Sequence, residues 1–291
     1  MLGLKQSAMR SLLFLFLGLG AVFSAAVWAT PARVVSQTVG TDEILLAVAG
    51  PEQIAALSHL AHSPEFSGAA SEAAHYPSIP QGDAETILRY YPTLVLFADY
   101  SRVELVEQVR SAGVETLVFD RYTTIDDVHD YLLRLAAVLG PGARSRAEHV
   151  VATDRARLAM LHEKLARAKP VRVIAPSTYG VIAGSGTTFQ DLCEHAAAEN
   201  LAASIGSLRG HVSPPAEQMI GWPVDFVVLA GKTAEGALEP FRRLPPYRFM
   251  AAIREGRAVV VPEWMLGCVS HRRVDAYELL ARALHPELFK D

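Results

Sequence analysis

The 291 residues carry 27 Lys plus Arg against 31 Asp plus Glu, a net charge of −4, with 51% hydrophobic residues and two cysteines. That balance supplies no basic face for nucleic acid, and blocks of like charge are absent. The length suffices for one large domain or two modest ones.

The chain opens with Lys5 and Arg10 ahead of the apolar run SLLFLFLGLGAVFSAAV, followed by small residues around Val27-Trp28-Ala29. This is the layout of a secretory signal peptide over residues 1–29, cleaved after Ala29. The alternative, an uncleaved anchor, requires a longer apolar span. Loss of Lys5 and Arg10 takes the net charge from −4 to −6. No cysteine stands at the cleavage point to carry a lipid, so a soluble protein of a Gram-negative periplasm is expected.

Next comes ARVVSQTVGTDEILLAVAG, a β-rich run, then Thr41 as a candidate N-cap with Ile44, Leu45 and Val48 at helical spacing. The theme repeats: QIAALS reads as a strand, AETILRYY as a helix, TLVLFAD as a buried strand, RVELVEQVRSAG as a helix and ETLVFD as a strand. Strands and helices alternating at this length imply parallel β-α units. In TTIDDVHDYLLRLAAVLG, Thr124 and Asp127 have capping-box spacing, and Val128, Tyr131, Leu132, Leu135 and Leu139 share one face. From Ala143 to Lys169 neither Gly nor Pro interrupts a helical period, which predicts one long helix. The β-α theme then restarts with VRVIAP, GVIAG, the helix FQDLCEHAAAEN, the strands VDFVVLAG and AVVVPEW, and the helix VDAYELLARALH.

The predicted fold class is therefore α/β: two Rossmann-like lobes, 30–142 and 170–291, joined by a single long α-helix, 143–169, with a ligand cleft between the lobes. One stiff crossing favours small tilts over a wide hinge. The loops after the strands' carboxyl ends should face the cleft.

The stretch GSGTTFQDL has the look of a phosphate loop, but Gly186 is followed by Thr187 and Thr188 where a Walker loop needs lysine. The dinucleotide pattern lacks its third glycine, because position 189 is Phe. No Gly-x-Ser-x-Gly elbow, His-Glu-x-x-His pair or spaced zinc cysteines occur, so no catalytic residues are assigned and the chain is not read as an enzyme. A periplasmic hydrolase stays as the remote alternative.

In order and spacing, these motifs resemble the class III periplasmic substrate-binding proteins of ABC importers for metal chelates, the cobalamin, haem and ferric-siderophore type. RVVSQTVGTDEILLAVAGPEQIAALS is similar to that family's opening strand, Thr/Asp-Glu-Ile helix and second strand. AETILRYYPTLVLF resembles its Glu-x-Ile … Pro-Asp-Leu-Val segment, with Thr93 where aspartate is usual, and IREGRAVVVPEW resembles its last strand. The resemblance makes Gly184 and Gly186 part of a cleft wall in the second lobe, where a missing side chain lets backbone approach a bulky ligand.

It also implies an inner-membrane ABC permease with its ATPase as partner, an upstream TonB-dependent outer-membrane receptor, and a monomeric binding protein. Glu85 and Glu217 fall on the family's permease-docking glutamates, one per lobe. His59 and His62 stand where many relatives place tyrosines, and either is a candidate for the metal of a bound chelate. With His75 or His211 they are also candidates for a bare ion. Tyr100, Tyr179, Arg209, His211, Trp264 and Met265 complete the cleft candidates, set against a core or surface role for each. No intrinsic cofactor is expected; the ligand is a metal chelate containing iron or cobalt, with a ferric siderophore ahead of a corrinoid or haem. Cys193 and Cys268 are expected to form a disulfide, with two buried thiols, or Cys268 as a cleft residue beside the ligand, as the alternatives.

Overall fold

A computed structural model describes residues 32–80 and 82–290. The predicted leader, residues 1–29, lies outside them.

Five short apolar segments form the first sheet: β1 (Val34–Ser36), β2 (Ile54–Ser58), β3 (Ser78–Ile79), β4 (Leu94–Ala98) and β5 (Glu115–Phe119). All pair in parallel in the order β3-β2-β1-β4-β5. Every residue of β1, β2 and β4 is buried, as expected of strands covered by helices on both faces. The order reverses between β1 and β4, which opens a crevice at their carboxyl ends.

The second sheet takes β6 (Val171–Ile174), β8 (Ala198–Asn200), β10 (Phe226–Ala230) and β11 (Ala258–Val261), again parallel, in the order β11-β10-β6-β8. Two short strands, β7 (Ile182–Ala183) and β9 (His211–Val212), pair antiparallel outside it. All strands of the first sheet precede residue 120 and all of the second follow residue 170, so the chain crosses between the sheets once.

That crossing is the helix Pro141–Leu165, 25 residues and thus about 37 Å long. Proline occupies its first turn, where no N–H is needed, and Gly140 precedes it at φ 104°. Its buried face runs Ala143, Ala147, Val151, Asp154, Leu158, Leu161 and Leu165. Midway, Asp154 meets Nε2 of buried His129 at 3.1 Å, and Arg157 reaches Asp275 at 2.6 Å and Glu278 at 2.9 Å on the C-terminal helix Arg273–Leu284. One continuous apolar core contains residues of both sheets, of this helix and of the C-terminal helix. The two lobes are consequently halves of one packed body.

Several elements differ from expectation for local reasons. The first helix, Val39–Val48, is capped by Thr38, with Thr41 at its third position completing a reciprocal capping box. Gly40 sits inside its first turn because a Cβ there would lie 2.3 Å from Val269 Cγ2 of the other lobe. The segment read as AETILRYY is helical only over Ala84–Leu88, capped by Asp83. FQDLCEHAAAEN is helical over Thr188–His195; Ala197 then turns to φ 50° and residues 198–200 form β8, which pairs with β6. Cys193 and Cys268 are separate buried thiols, correcting the expected disulfide. Cys193 belongs to the apolar core, whereas the Cys268 sulfur faces the Ser270 hydroxyl at 3.4 Å.

Asp42, fully buried in the first helix, accepts hydrogen bonds from the Ser58 amide (3.1 Å) and hydroxyl (2.5 Å) and so fixes the end of β2. Burial pushes its carboxyl up from 3.8 to about 7, against the lowering effect of those bonds. The folded state thus holds this proton after the unfolded chain has lost it. The stabilisation is complete below about pH 4 and is lost as pH rises through about 7, a change of roughly 4 kcal/mol. Asp42→Asn should flatten the decline in melting temperature across that window; identical slopes for the two proteins would assign the titration elsewhere.

Candidate functional site

The carboxyl ends of both sheets face each other across a cavity of about 670 Å³. Asp99 follows β4, while Asp120, Tyr122 and Thr123 follow β5. The second lobe contributes Pro176, Ser177 and Tyr179 after β6, Gly186 to Phe189 at a helix start, His211 on β9, and Glu263 after β11. A smaller cavity of about 370 Å³ is lined by Gly40, Glu43, Phe66, Tyr100, Trp264 and Cys268. Glu263, Gly267 and Val269 line both, so the segment 263–269 divides the cleft into two chambers.

Hydrogen bonds fix the first lobe's wall. The Tyr122 hydroxyl donates to Asp99 at 2.9 Å, and burial followed by this carboxylate pushes the phenol up to about 12. Tyr122 also meets the edge of Tyr100, with ring centroids 6.0 Å apart. In the second lobe, Thr187 caps its helix by accepting from the Gln190 amide, while its own hydroxyl donates to Gly184 O at 2.8 Å. Gly186 takes φ 69°, the left-handed turn that lets this loop bend into the cavity wall.

The floor is a seam of buried polar groups. Arg273, 2% exposed, donates to the carbonyls of Tyr122 (2.6 Å) and Thr123 (2.9 Å) in the first lobe, and to Cys268 O (3.2 Å) and Asp191 (3.1 Å) in the second. Asp191 also accepts the Tyr277 hydroxyl. Nearby, Glu43, 3% exposed, accepts from the Ser67 hydroxyl (2.9 Å), the Gly68 amide (2.8 Å) and, across the seam, the Ser270 hydroxyl. Burial raises the Glu43 carboxyl above its ordinary value, opposed by these three donors.

The sequence candidates divide clearly. Tyr179 (92% exposed), Gly186 and His211 line the large chamber; Tyr100 and Trp264 line the small one. Gly184 serves packing, since a Cβ there would lie 2.3 Å from Leu208 O. Met265 packs against the core, and Arg209 is exposed and lines neither chamber. His59 is likewise exposed and outside both chambers. His62 places its ring nitrogens 3.3 Å from Ser58 O and 3.1 Å from Tyr76 O, so its N–H donates to one of these carbonyls and ties the ring to its loop. Among the described residues no group of three or more His, Cys, Asp or Glu is placed to hold a metal ion, so His59, His62, His75 and His211 do not assemble into one. Glu85 and Glu217 are exposed in the first turns of short helices, one in each lobe; Glu85 pairs with Arg89 at 2.5 Å. Phe66, Asp99, Asp120, Tyr122 and Glu263 escaped the sequence reading, although three of them end or follow recognised strands.

A family model described as periplasmic binding protein matches residues 34–263, which spans both sheets and the connecting helix. The chain belongs to the periplasmic binding protein family. Among solved structures, this periplasmic binding protein is similar to the periplasmic heme-binding protein RhuT from Roseiflexus sp. RS-1, with a TM-score of 0.76 at 22% identity, covering 89% of this chain and 100% of that one. A periplasmic heme-binding protein from Pseudomonas aeruginosa gives 0.74 at 22% identity over 88% and 94% of the two chains. Heme-binding protein HutB of Vibrio cholerae gives 0.71 at 19% over 88% and 100%. No curated protein sequence matches the chain.

Removing the Arg273 side chain would leave Asp191 buried without its cation and three backbone carbonyls short of a donor. Arg273→Ala should lower unfolding free energy by about 3 to 5 kcal/mol in urea denaturation. A loss below about 1 kcal/mol would show that the seam does not hold the lobes.

Proposed function

We propose that this periplasmic binding protein is the receptor subunit of an ABC importer, which captures an iron chelate between its lobes and passes it to an inner-membrane permease. The observation that carries this reading is the preformed two-lobe chamber of about 670 Å³, a volume suited to a bulky small molecule. It sits at the switch point of the first sheet, where open α/β sheets bind ligands. Capture as its role is supported by the family and by the similar structures, which are binding proteins.

Two iron chelates suit this frame. Haem is supported by the similar structures, which are heme-binding proteins, and Tyr122, Tyr179 and His211 are side chains of the kinds that bind haem iron axially. A ferric siderophore is favoured by the lining itself. Asp99, Asp120 and Glu263 face the large chamber, whose own lining holds neither Lys nor Arg, while Lys232 lines an adjoining cavity that shares Pro176, Ser177, Tyr179 and Glu263 with it. Haem would bring two propionates, which carboxylates repel unless both point to solvent. We therefore place a ferric siderophore first and haem second.

Delivery requires orientation as well as binding. Glu85 and Glu217, one exposed carboxylate per lobe, are suited to arginines on a permease rim, and the exposed Glu85–Arg89 pair is weak enough to be exchanged for a partner. The leader over residues 1–29 would take the protein to the periplasm.

Titrating the purified protein with ferric siderophores, haemin and cyanocobalamin, read by tryptophan quenching and by the haem Soret band, should give saturable one-to-one binding of an iron chelate. Absence of binding by all of them would remove the reading. In cells, Glu85→Ala combined with Glu217→Ala should abolish uptake of the bound chelate with its affinity unchanged; a fall in affinity would place these residues in the binding site.

A further inference from the structure

The smaller chamber has a composition that the capture of a metal centre does not require. Three aromatic side chains from three separate segments line it: Phe66 beyond β2, Tyr100 beyond β4 and Trp264 beyond β11. Phe66 and Tyr100 are 44% and 56% exposed, and Trp264 lies against Gly68, where a Cβ would come within 2.9 Å of the indole. Two carboxylates complete the lining, Glu43 and Glu263, and neither Lys, Arg nor His contributes to it.

Glu43 is the unusual member. It is buried, yet its hydrogen-bond donors are all neutral: Ser67, Gly68, Ser270 and, at 4.0 Å, the Cys268 thiol. The cation nearest in influence, Arg272, is itself bonded to Glu72 at 2.5 Å. Burial disfavours the charged form of Glu43, and an ammonium beside it would restore that charge. A buried carboxyl with no bonded cation, beside three aromatic side chains, therefore attracts a positive charge twice over. The ring quadrupoles draw it to their faces, and the carboxylate supplies the counter-charge. An uncharged hydrocarbon group would gain the aromatic contact but leave Glu43 as it was.

The two chambers share Glu263, Gly267 and Val269, and Tyr100 touches Tyr122 of the larger one edge-on. A ligand seated in the large chamber therefore has a side arm's reach into the small one. Resting on the iron-chelate reading above, we infer that the chamber formed by Phe66, Tyr100, Trp264 and Glu43 binds an organic ammonium group carried by the chelate, and so selects amine-bearing ferric siderophores.

Calorimetric titration with ferrioxamine B, a ferric trihydroxamate with one free ammonium, and with its N-acetylated form tests this directly, because the two share their iron coordination and differ in that charge. The ammonium form should bind at least about tenfold more tightly. Tyr100→Leu, at a half-exposed position, should erase the preference and bring the ratio of the two affinities close to one. Equal affinities in the unaltered protein, or a preference that survives both Tyr100→Leu and Phe66→Leu, would overturn the inference while the iron-chelate reading stands. If no ferric chelate binds, that reading fails, and choline against its neutral isostere 3,3-dimethylbutan-1-ol decides in its place: a preference of about tenfold for choline supports the ammonium chamber, and equal binding overturns it.

Discussion

The arrangement of the lobes rests on one buried arginine. A guanidinium withdrawn from water is tolerable only if its donors are met and its charge is opposed. Arg273 satisfies both conditions by using both lobes at once: Asp191 opposes the charge from the second, while the carbonyls of Tyr122 and Thr123 accept from the first. Tyr122 and Thr123 also line the large chamber. The bond that joins the lobes is thus the bond that positions the wall of the site. Gly40 against Val269 and Glu43 with Ser270 extend the same seam, the first by close approach and the second by a buried hydrogen bond.

With the floor held in this way, the single long helix acts less as a hinge than as a spine. Its apolar face belongs to a core shared by both sheets, and Arg157 ties its middle to the C-terminal helix. Separating the lobes widely would expose that core, take the Tyr122 and Thr123 carbonyls from Arg273 and take the Ser270 hydroxyl from Glu43. The cleft is consequently preformed, and ligand choice falls to the shape and charge of its lining. There the segment 263–269 has a second role, because it splits the space into a larger acid-edged chamber and a smaller aromatic one.

Much of the frame was legible in the sequence. The apolar runs of β2 and β4, the Thr124–Asp127 capping box and the uninterrupted stretch after Gly140 each follow from local rules, and each is found. Failures come where tertiary pairing decides. HAAAEN has a strong helical composition, but β6 recruits Ala198–Asn200 as a strand and Ala197 turns to a positive φ to permit it. In the site, the expected residues Tyr100, Tyr179, His211 and Trp264 come together at the chambers, whereas the candidate His62 has its ring against the Ser58 and Tyr76 carbonyls. The carboxylates Asp99, Asp120 and Glu263 were passed over because acidic residues at loop starts are ordinary in any sequence. Arg273 carries no local signal at all, since its burial depends on carbonyls 150 residues away.

The central claim is that lobes sharing a core and a buried seam move little when the cleft fills. Pulsed electron-spin distance measurements between labels at positions 85 and 217, one on each lobe, test it most directly. The account predicts a narrow distribution that shifts by only a few ångströms when a saturating ferric chelate is added. A broad distribution in the free protein, or a closure by more than the width of a helix, would contradict it.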